Sequence, residues 1–198
     1  MTLGRRDFLR QAGAACCLSL LPVSVAAGLS ATPVARNLLR PPGAVVEEIF
    51  PAKCIRCGRC VEVCPYRSIR MLDIRHGLHA GTPLIEVTKI PCYLCMKCVD
   101  VCPTGCLRRI RQSETRMGLA IVDRFQCATW IGTTLCRTCY DKCPFADRAI
   151  RLDQLRPIVN EALCTGCGIC THTCPVTGAD GSKAINILPL QAVEKAVG

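Results

Sequence analysis

Sixteen of the 19 cysteines in this 198-residue chain fall into four runs whose spacing could do chemistry. The first is Cys54, Cys57, Cys60 and Cys64, followed by Pro65. Cys92, Cys95, Cys98 and Cys102, before Pro103, repeat it with identical spacing, as do Cys164, Cys167, Cys170 and Cys174, before Pro175. The remaining run is looser: Cys127, eight intervening residues, then Cys136, Cys139, Cys143 and Pro144. Three thiolates within seven residues can wrap one face of an iron–sulfur cubane, while a fourth before Pro leaves in another direction to ligate a neighbouring cluster. Structural zinc uses two separated C-x-x-C pairs, which this spacing does not match. Disulfides suit an exported Cys-rich chain, but thiols three residues apart on a tight loop are poorly placed to bond each other.

The spacing C-x-x-C-x-x-C-x-x-x-C-P is that of bacterial ferredoxins. All sixteen cysteines are therefore expected to bind iron, in four [4Fe-4S] clusters. Cys127 is taken as a ligand of the third run; as a stray buried thiol it would leave a three-iron cluster instead. Trp130, in the insert after Cys127, is expected to shield that cluster. Cys106 reads as a small packing residue, His172 as solvent-facing or potential-tuning, and Tyr66 and Tyr93 as packing beside the loops. No phosphate loop, dinucleotide fingerprint, Ser/His/Asp set or open metal site is present. The expectation is an electron-transfer protein and not an enzyme.

The elements that position these loops are short. β-branched runs precede three of the four, at Ile85-Glu86-Val87, Ile121-Val122 and Ile158-Val159. Others follow at Ile69-Arg70-Met71-Leu72, Ile150-Arg151-Leu152 and Ile185-Asn186-Ile187-Leu188. Alternation of this kind predicts half-buried strands. Each repeat then reads as strand, ligand loop, short helix, strand, with the helix opening after Cys-Pro, where Pro is tolerated. The fold class is α+β: tandem ferredoxin-like two-cluster modules, four 4Fe-4S repeats in all, after a cleavable or retained signal segment. The divisions are a signal or anchor at 1–35, a linker at 36–50, modules at 51–112 and 113–190, and a tail at 191–198. Pairing of first with second run and third with fourth is favoured, so that Cys64 serves the second cluster and Cys102 the first. First with fourth and second with third is the alternative.

Charge and the N-terminus bear on location. Gly4-Arg5-Arg6-Asp7-Phe8-Leu9-Arg10 precedes an uncharged stretch from Gln11 to Ala35, the pattern of a twin-arginine export signal. Cys16 and Cys17 lie within it as small apolar residues. The formal net charge is +10. Beyond residue 36 it is +7, from 21 basic and 14 acidic side chains. Four oxidised cubanes with their thiolates, at about −2 each, bring the holoprotein close to neutral. The basic balance offsets cofactors, and no nucleic-acid partner is expected.

With the runs and the signal placed, the chain resembles the NapG/MauM group of ferredoxin-type proteins, associated with periplasmic nitrate reductase and methylamine utilisation. Linker matches carry the resemblance beyond the cysteines: Arg40-Pro41-Pro42-Gly43-Ala44, Cys64-Pro65-Tyr66, Gly81-Thr82-Pro83, Arg116-Met117-Gly118-Leu119-Ala120 and Ile187-Leu188-Pro189-Leu190. The second run is more compact than in many members, and the tail is short. The resemblance implies four [4Fe-4S] clusters and twin-arginine export to the periplasmic, outer face of the bacterial inner membrane. It implies single-electron relay between a membrane-bound quinol-oxidising iron–sulfur protein and a periplasmic oxidoreductase, with membrane association through that partner or a retained signal. A maturation factor for a periplasmic oxidoreductase is the second functional reading.

Overall fold

The computed structural model describes residues 38–190. The signal segment, with Cys16 and Cys17, and the tail lie outside the described residues. Secondary structure comes in pieces of one helical turn or one short strand. The helices are α1 (Phe50–Lys53), α2 (Arg59–Glu62), α3 (Lys97–Asp100), α4 (Thr138–Asp141) and α5 (Ile169–Thr173). The strands are β1 (Ile69–Met71), β2 (Pro83–Ile85), β3 (Gly118–Val122), β4 (Ile150–Asp153), β5 (Arg156–Val159) and β6 (Ile185–Pro189). Helices this short do not hold themselves together in water, so they depend on what they pack against.

The strands form three antiparallel pairs. In the second half of the chain an inner hairpin, β4–β5, joins the third and fourth runs, with Ile150 opposite Val159. An outer pair, β3–β6, flanks both runs, with Ala120 opposite Ile187. The first half follows the same plan. Its inner pair β1–β2 places Ile69 opposite Ile85, but its outer pair shrinks to one bridge, Ala44 with Leu107. The Val45 N–H donates to Cys106 O at 3.0 Å and the Arg108 N–H to Gly43 O at 2.7 Å. The sequence explains the loss. Val45-Val46 is the one adjacent β-branched pair between Pro42 and Cys54, and just before it Pro41 and Pro42 lack the N–H a ladder needs. Gly43 turns the chain at φ +72°, where a Cβ would lie 2.1 Å from Arg108 O.

Five of the six expected strands appear where the alternation put them. β2 begins earlier and shares only Ile85 with the expectation, because the chain turns at Glu86, whose carbonyl accepts from the Lys89 and Ile90 N–H groups. The short helices are a correction. They do not follow Cys-Pro; α2 to α5 each lie within a run and carry its third cysteine, Cys60, Cys98, Cys139 and Cys170. Pro ends this segment instead of opening one, since the residue before Pro is driven out of helical geometry. Cys174, before Pro175, is extended at φ −61°, ψ 121°.

The larger core cluster includes Phe50, Ile69, Ile85, Leu94, Val99 and Leu107 from the first half, with Met117 and Ile169 from the second. A second cluster gathers Leu119, Ile150, Ala184 and Ile185. One buried charge network anchors the linker. Arg40 is 3% exposed and Glu47 8%. The guanidinium makes two hydrogen bonds to the Glu47 carboxylate, the Nε one at 2.8 Å. It also donates to Thr82 Oγ1 at 2.9 Å and Pro83 O at 2.7 Å, and stacks 4.4 Å from the Phe50 ring. His79 Nδ1 lies 2.9 Å from Glu47 Oε1. This network pins the linker onto the β1–β2 hairpin. Among the described residues no helix is long and apolar enough to cross a membrane.

Candidate metal centres

The compact loops share an unusual backbone. Left-handed residues bracket the second cysteine of each: Arg56 (φ 58°) and Gly58 (φ 76°), Leu94 (φ 54°) and Met96 (φ 60°), Gly166 (φ 71°) and Gly168 (φ 81°). Alternating handedness of this kind turns successive N–H groups to one side and makes a concave nest for negative charge, as at many iron–sulfur sites. Arg56, Leu94 and Met96 hold the conformation despite bearing a Cβ, a strain that surrounding structure must impose. For Arg56 the restraint is visible: its guanidinium donates to Ala80 O at 2.8 Å and Leu78 O at 3.0 Å. The third run reaches its helix differently, through Arg137 at φ −129°. Its insert is closed by Thr129, whose hydroxyl donates to Cys136 O at 2.8 Å and accepts from the Cys136 N–H at 2.9 Å.

In two cavities three thiols of one run are joined by the fourth cysteine of another. One apolar cavity is lined by Cys92, Cys95, Cys98 and, from the first run, Cys64, with Ile69 and the Tyr66 and Tyr93 rings. Those rings pair at 4.4 Å between centroids. A second cavity is lined by Cys127, Cys136, Cys139 and, from the fourth run, Cys174. Cys143 of the third run lies within electrostatic reach of Cys164 and Cys167 of the fourth. Cys54 and Cys57 act electrostatically on Cys60, and Cys54 and Cys102 on Cys106. Cys127 thus joins the other three thiols of its quartet. Among the described residues no group of three or more His, Cys, Asp or Glu side chains is placed to hold a single metal ion. The four thiols that line each cavity are the donor set of an iron–sulfur cubane.

Electrostatics agree with a cationic iron core. Burial, reinforced by neighbouring thiols, pushes Cys92, Cys98 and Cys139 up to about 12 and Cys60 to about 11. A thiolate at these positions needs a metal cation to pair with. At Cys102 burial also raises the value, but hydrogen bonds outweigh it and leave the thiol below its usual value. Its sulfur accepts from the Leu107 N–H at 3.4 Å and lies 3.8 Å from the Thr104 hydroxyl. The Leu94 N–H donates to Cys92 Sγ at 3.4 Å, and Thr138 Oγ1 lies 3.5 Å from Cys136 Sγ. Such donors stabilise charge on sulfur and tune cluster potential.

Residues outside the quartets sort as follows. Cys106 is 2% exposed, its thiol directed at Phe50 O, and burial pushes it up to about 12. It packs as a neutral thiol. His172 is exposed, with Nδ1 3.3 Å from Thr88 O. Trp130 does not line the Cys127 cavity; Val122, Ala128, Pro157, Val176 and Ile185 do. Its indole instead donates to Pro157 O at 3.4 Å and lies between the Arg124 and Arg156 guanidinium groups, at 4.4 and 5.2 Å. Sequence reading missed the left-handed Arg56, Leu94 and Met96, because only glycine advertises that geometry. It also missed the Arg40–Glu47 pair, whose partners are separated by a linker with no periodicity.

Known proteins agree with this site. Residues 53–106 match the model of a 4Fe-4S dicluster domain and residues 161–178 that of a 4Fe-4S binding domain. Ferredoxin-type protein NapG of Escherichia coli K12 is 37% identical, over 98% of this chain and 90% of its own length. Methylamine utilization ferredoxin-type protein MauM of Paracoccus denitrificans is 35% identical, over 93% of this chain and 87% of its own. Ferredoxin-type protein NapF of Haemophilus influenzae is 37% identical over 70% of this chain and 75% of its own length. Fold, thiol quartets and relatives together define an iron–sulfur protein of the electron-transfer class, carrying [4Fe-4S] clusters. The chain belongs to the NapG/MauM family of ferredoxin-type proteins.

Proposed function

We propose that the chain holds four [4Fe-4S] clusters and relays single electrons on the outer face of the bacterial inner membrane. The ligands are Cys54, Cys57, Cys60 and Cys102; Cys92, Cys95, Cys98 and Cys64; Cys127, Cys136, Cys139 and Cys174; and Cys164, Cys167, Cys170 and Cys143. When bound, a [4Fe-4S] cluster accepts and returns one electron with little rearrangement. The chain's own residues do the rest. The left-handed loops turn amide groups toward negative charge, and Val122, Pro157, Val176 and Ile185 keep water from the third quartet. Exchange of the fourth cysteine ties each cluster to its neighbour through one stretch of backbone.

The observation that carries this reading is the convergence of thiols from two runs on each of the two apolar cavities. The partners that suit it are a membrane-bound quinol-oxidising iron–sulfur protein and a periplasmic oxidoreductase. Paired Arg5 and Arg6 before an uncharged stretch support export of the folded, loaded protein. Iron and acid-labile sulfide analysis of anaerobically purified protein should give about sixteen of each per chain. Stopped-flow mixing of the reduced protein with its oxidoreductase should then reoxidise it. A colourless preparation would overturn the cluster reading itself, whereas clusters that never cycle while the oxidoreductase arrives inactive in a deletion strain would replace relay with a maturation role.

A further inference from the structure

We propose that the four quartets stand in single file, in the order first, second, fourth, third, so that the chain exchanges electrons with the outside at the quartets of Cys57 and Cys136. This rests on the four-cluster reading above. Two of the three links in the file are the exchanged cysteines themselves. Cys64 runs from the first loop into the cavity of the second, and Cys174 from the fourth loop into that of the third.

The link between halves is a joint between the second and fourth loops, made by candidate ligands and by residues within five positions of them. The Cys92 N–H donates to Cys167 O at 2.9 Å. Gly168 packs so closely on Val87 that a Cβ there would lie 2.2 Å from the valine Cγ1. His172 reaches Thr88 O from α5. The segment between the halves stitches the same two loops from behind. Gln112 donates to Leu94 O at 2.7 Å, and the Met117 N–H to Thr165 O at 3.0 Å.

Burial follows the same order. The first quartet contains no fully buried cysteine, and its Cys57 is exposed. The second contains two buried cysteines, Cys92 and Cys98, and the fourth contains three, Cys164, Cys167 and Cys170. The third falls back to one, Cys174. A chain of one-electron centres whose middle is buried and whose ends are open exchanges charge at the ends. Each move oxidises one centre by one electron and reduces the next by one, with no bond made or broken.

Two measurements on the full-length holoprotein test the order without an activity assay. In the first, the wild-type protein is exposed anaerobically to an iron chelator and N-ethylmaleimide, and labelled cysteines are identified by peptide mass spectrometry over time. Cys54, Cys57, Cys60 and Cys102 should label together, as should Cys127, Cys136, Cys139 and Cys174, both groups several-fold faster than the other two quartets. Early labelling of either inner quartet, or Cys102 labelling with Cys98 instead of Cys54, overturns the file. In the second, EPR spectra are recorded for fully reduced paired variants. Cys92→Ala with Cys95→Ala should leave one magnetically isolated signal beside a coupled pair, whereas Cys54→Ala with Cys57→Ala should leave none isolated. The reverse pattern sinks the order. Should these variants fail to fold, the wild-type labelling decides alone. Iron near sixteen with the wrong labelling groups defeats the file only; iron far from sixteen defeats the four-cluster reading first.

Discussion

At the scale of single residues, position relative to the cavity separates cysteines that sequence treats alike. Cys106 lies four residues after Cys102 and beside two thiols of the first quartet, yet its sulfur is directed at Phe50 O. Cys106→Ala should therefore keep the iron content and visible spectrum of the parent, while Cys102→Ala should lower both. Loss of about four iron atoms from Cys106→Ala would make Cys106 a ligand. Arg40 is the other residue whose weight is disproportionate. Breaking one side of a buried, hydrogen-bonded ion pair costs about 3–5 kcal/mol, and His79, 2.9 Å from Glu47 Oε1, places the loss here at the low end of that range. Arg40→Ala should lower the stability of the holoprotein by that order in denaturant titration followed by cluster bleaching. A change below about 1 kcal/mol would assign the network no more than the weight of a surface pair.

Among the elements, the helices matter less as helices than as the walls that carry third cysteines. In α2 to α5 the residue after the second cysteine is the N-cap, and in the compact runs that residue is left-handed. At Gly168 two demands coincide: φ is +81° and Val87 occupies the place of a Cβ. Gly168→Ala should destabilise the joint by more than the roughly 1–2 kcal/mol that left-handed geometry alone costs an L-residue. Adding Val87→Ala should return only the steric part. Full recovery in the double variant, measured by thermal melting of the holoprotein, would show that backbone geometry contributes nothing there. The strands obey plainer rules. Alternation located β1, β3, β4, β5 and β6, whereas β2 moved because a turn at Glu86 leads the chain into the second loop.

For the whole molecule, the elements are too short to be stable alone, and the thiol-lined cavities stand where a larger protein would have solid core. Several core residues are themselves candidate ligands: Cys92, Cys98 and Cys167 in one cluster, Cys164, Cys170 and Cys174 in the other. Cluster binding is then folding energy. Stripping iron with a chelator under anaerobic, reducing conditions should abolish the cooperative unfolding transition and collapse the circular dichroism of the body. An apoprotein that still melts cooperatively near the holoprotein's temperature would show that the apolar clusters suffice. The two halves also share one core, since Met117, Cys167 and Ile169 pack with residues of the first half.

Residue type and spacing along the chain were enough to determine the donor chemistry, the repeat and most strands. Ligand loops are local: C-x-x-C-x-x-C brings three thiols together within seven residues, and strand alternation is a property of neighbours. Tertiary structure decided what depends on residues far apart. The separation of Cys106 from the ligands, the burial of Arg40 against Glu47 and the meeting of Cys92 with Cys167 all arise from packing between segments. Helix placement was misread for a different reason. Pro is tolerated both where a helix opens and just beyond where one ends, and only the left-handed residue after each second cysteine of the compact runs, visible in the folded backbone, shows which side of the fourth cysteine carries the turn.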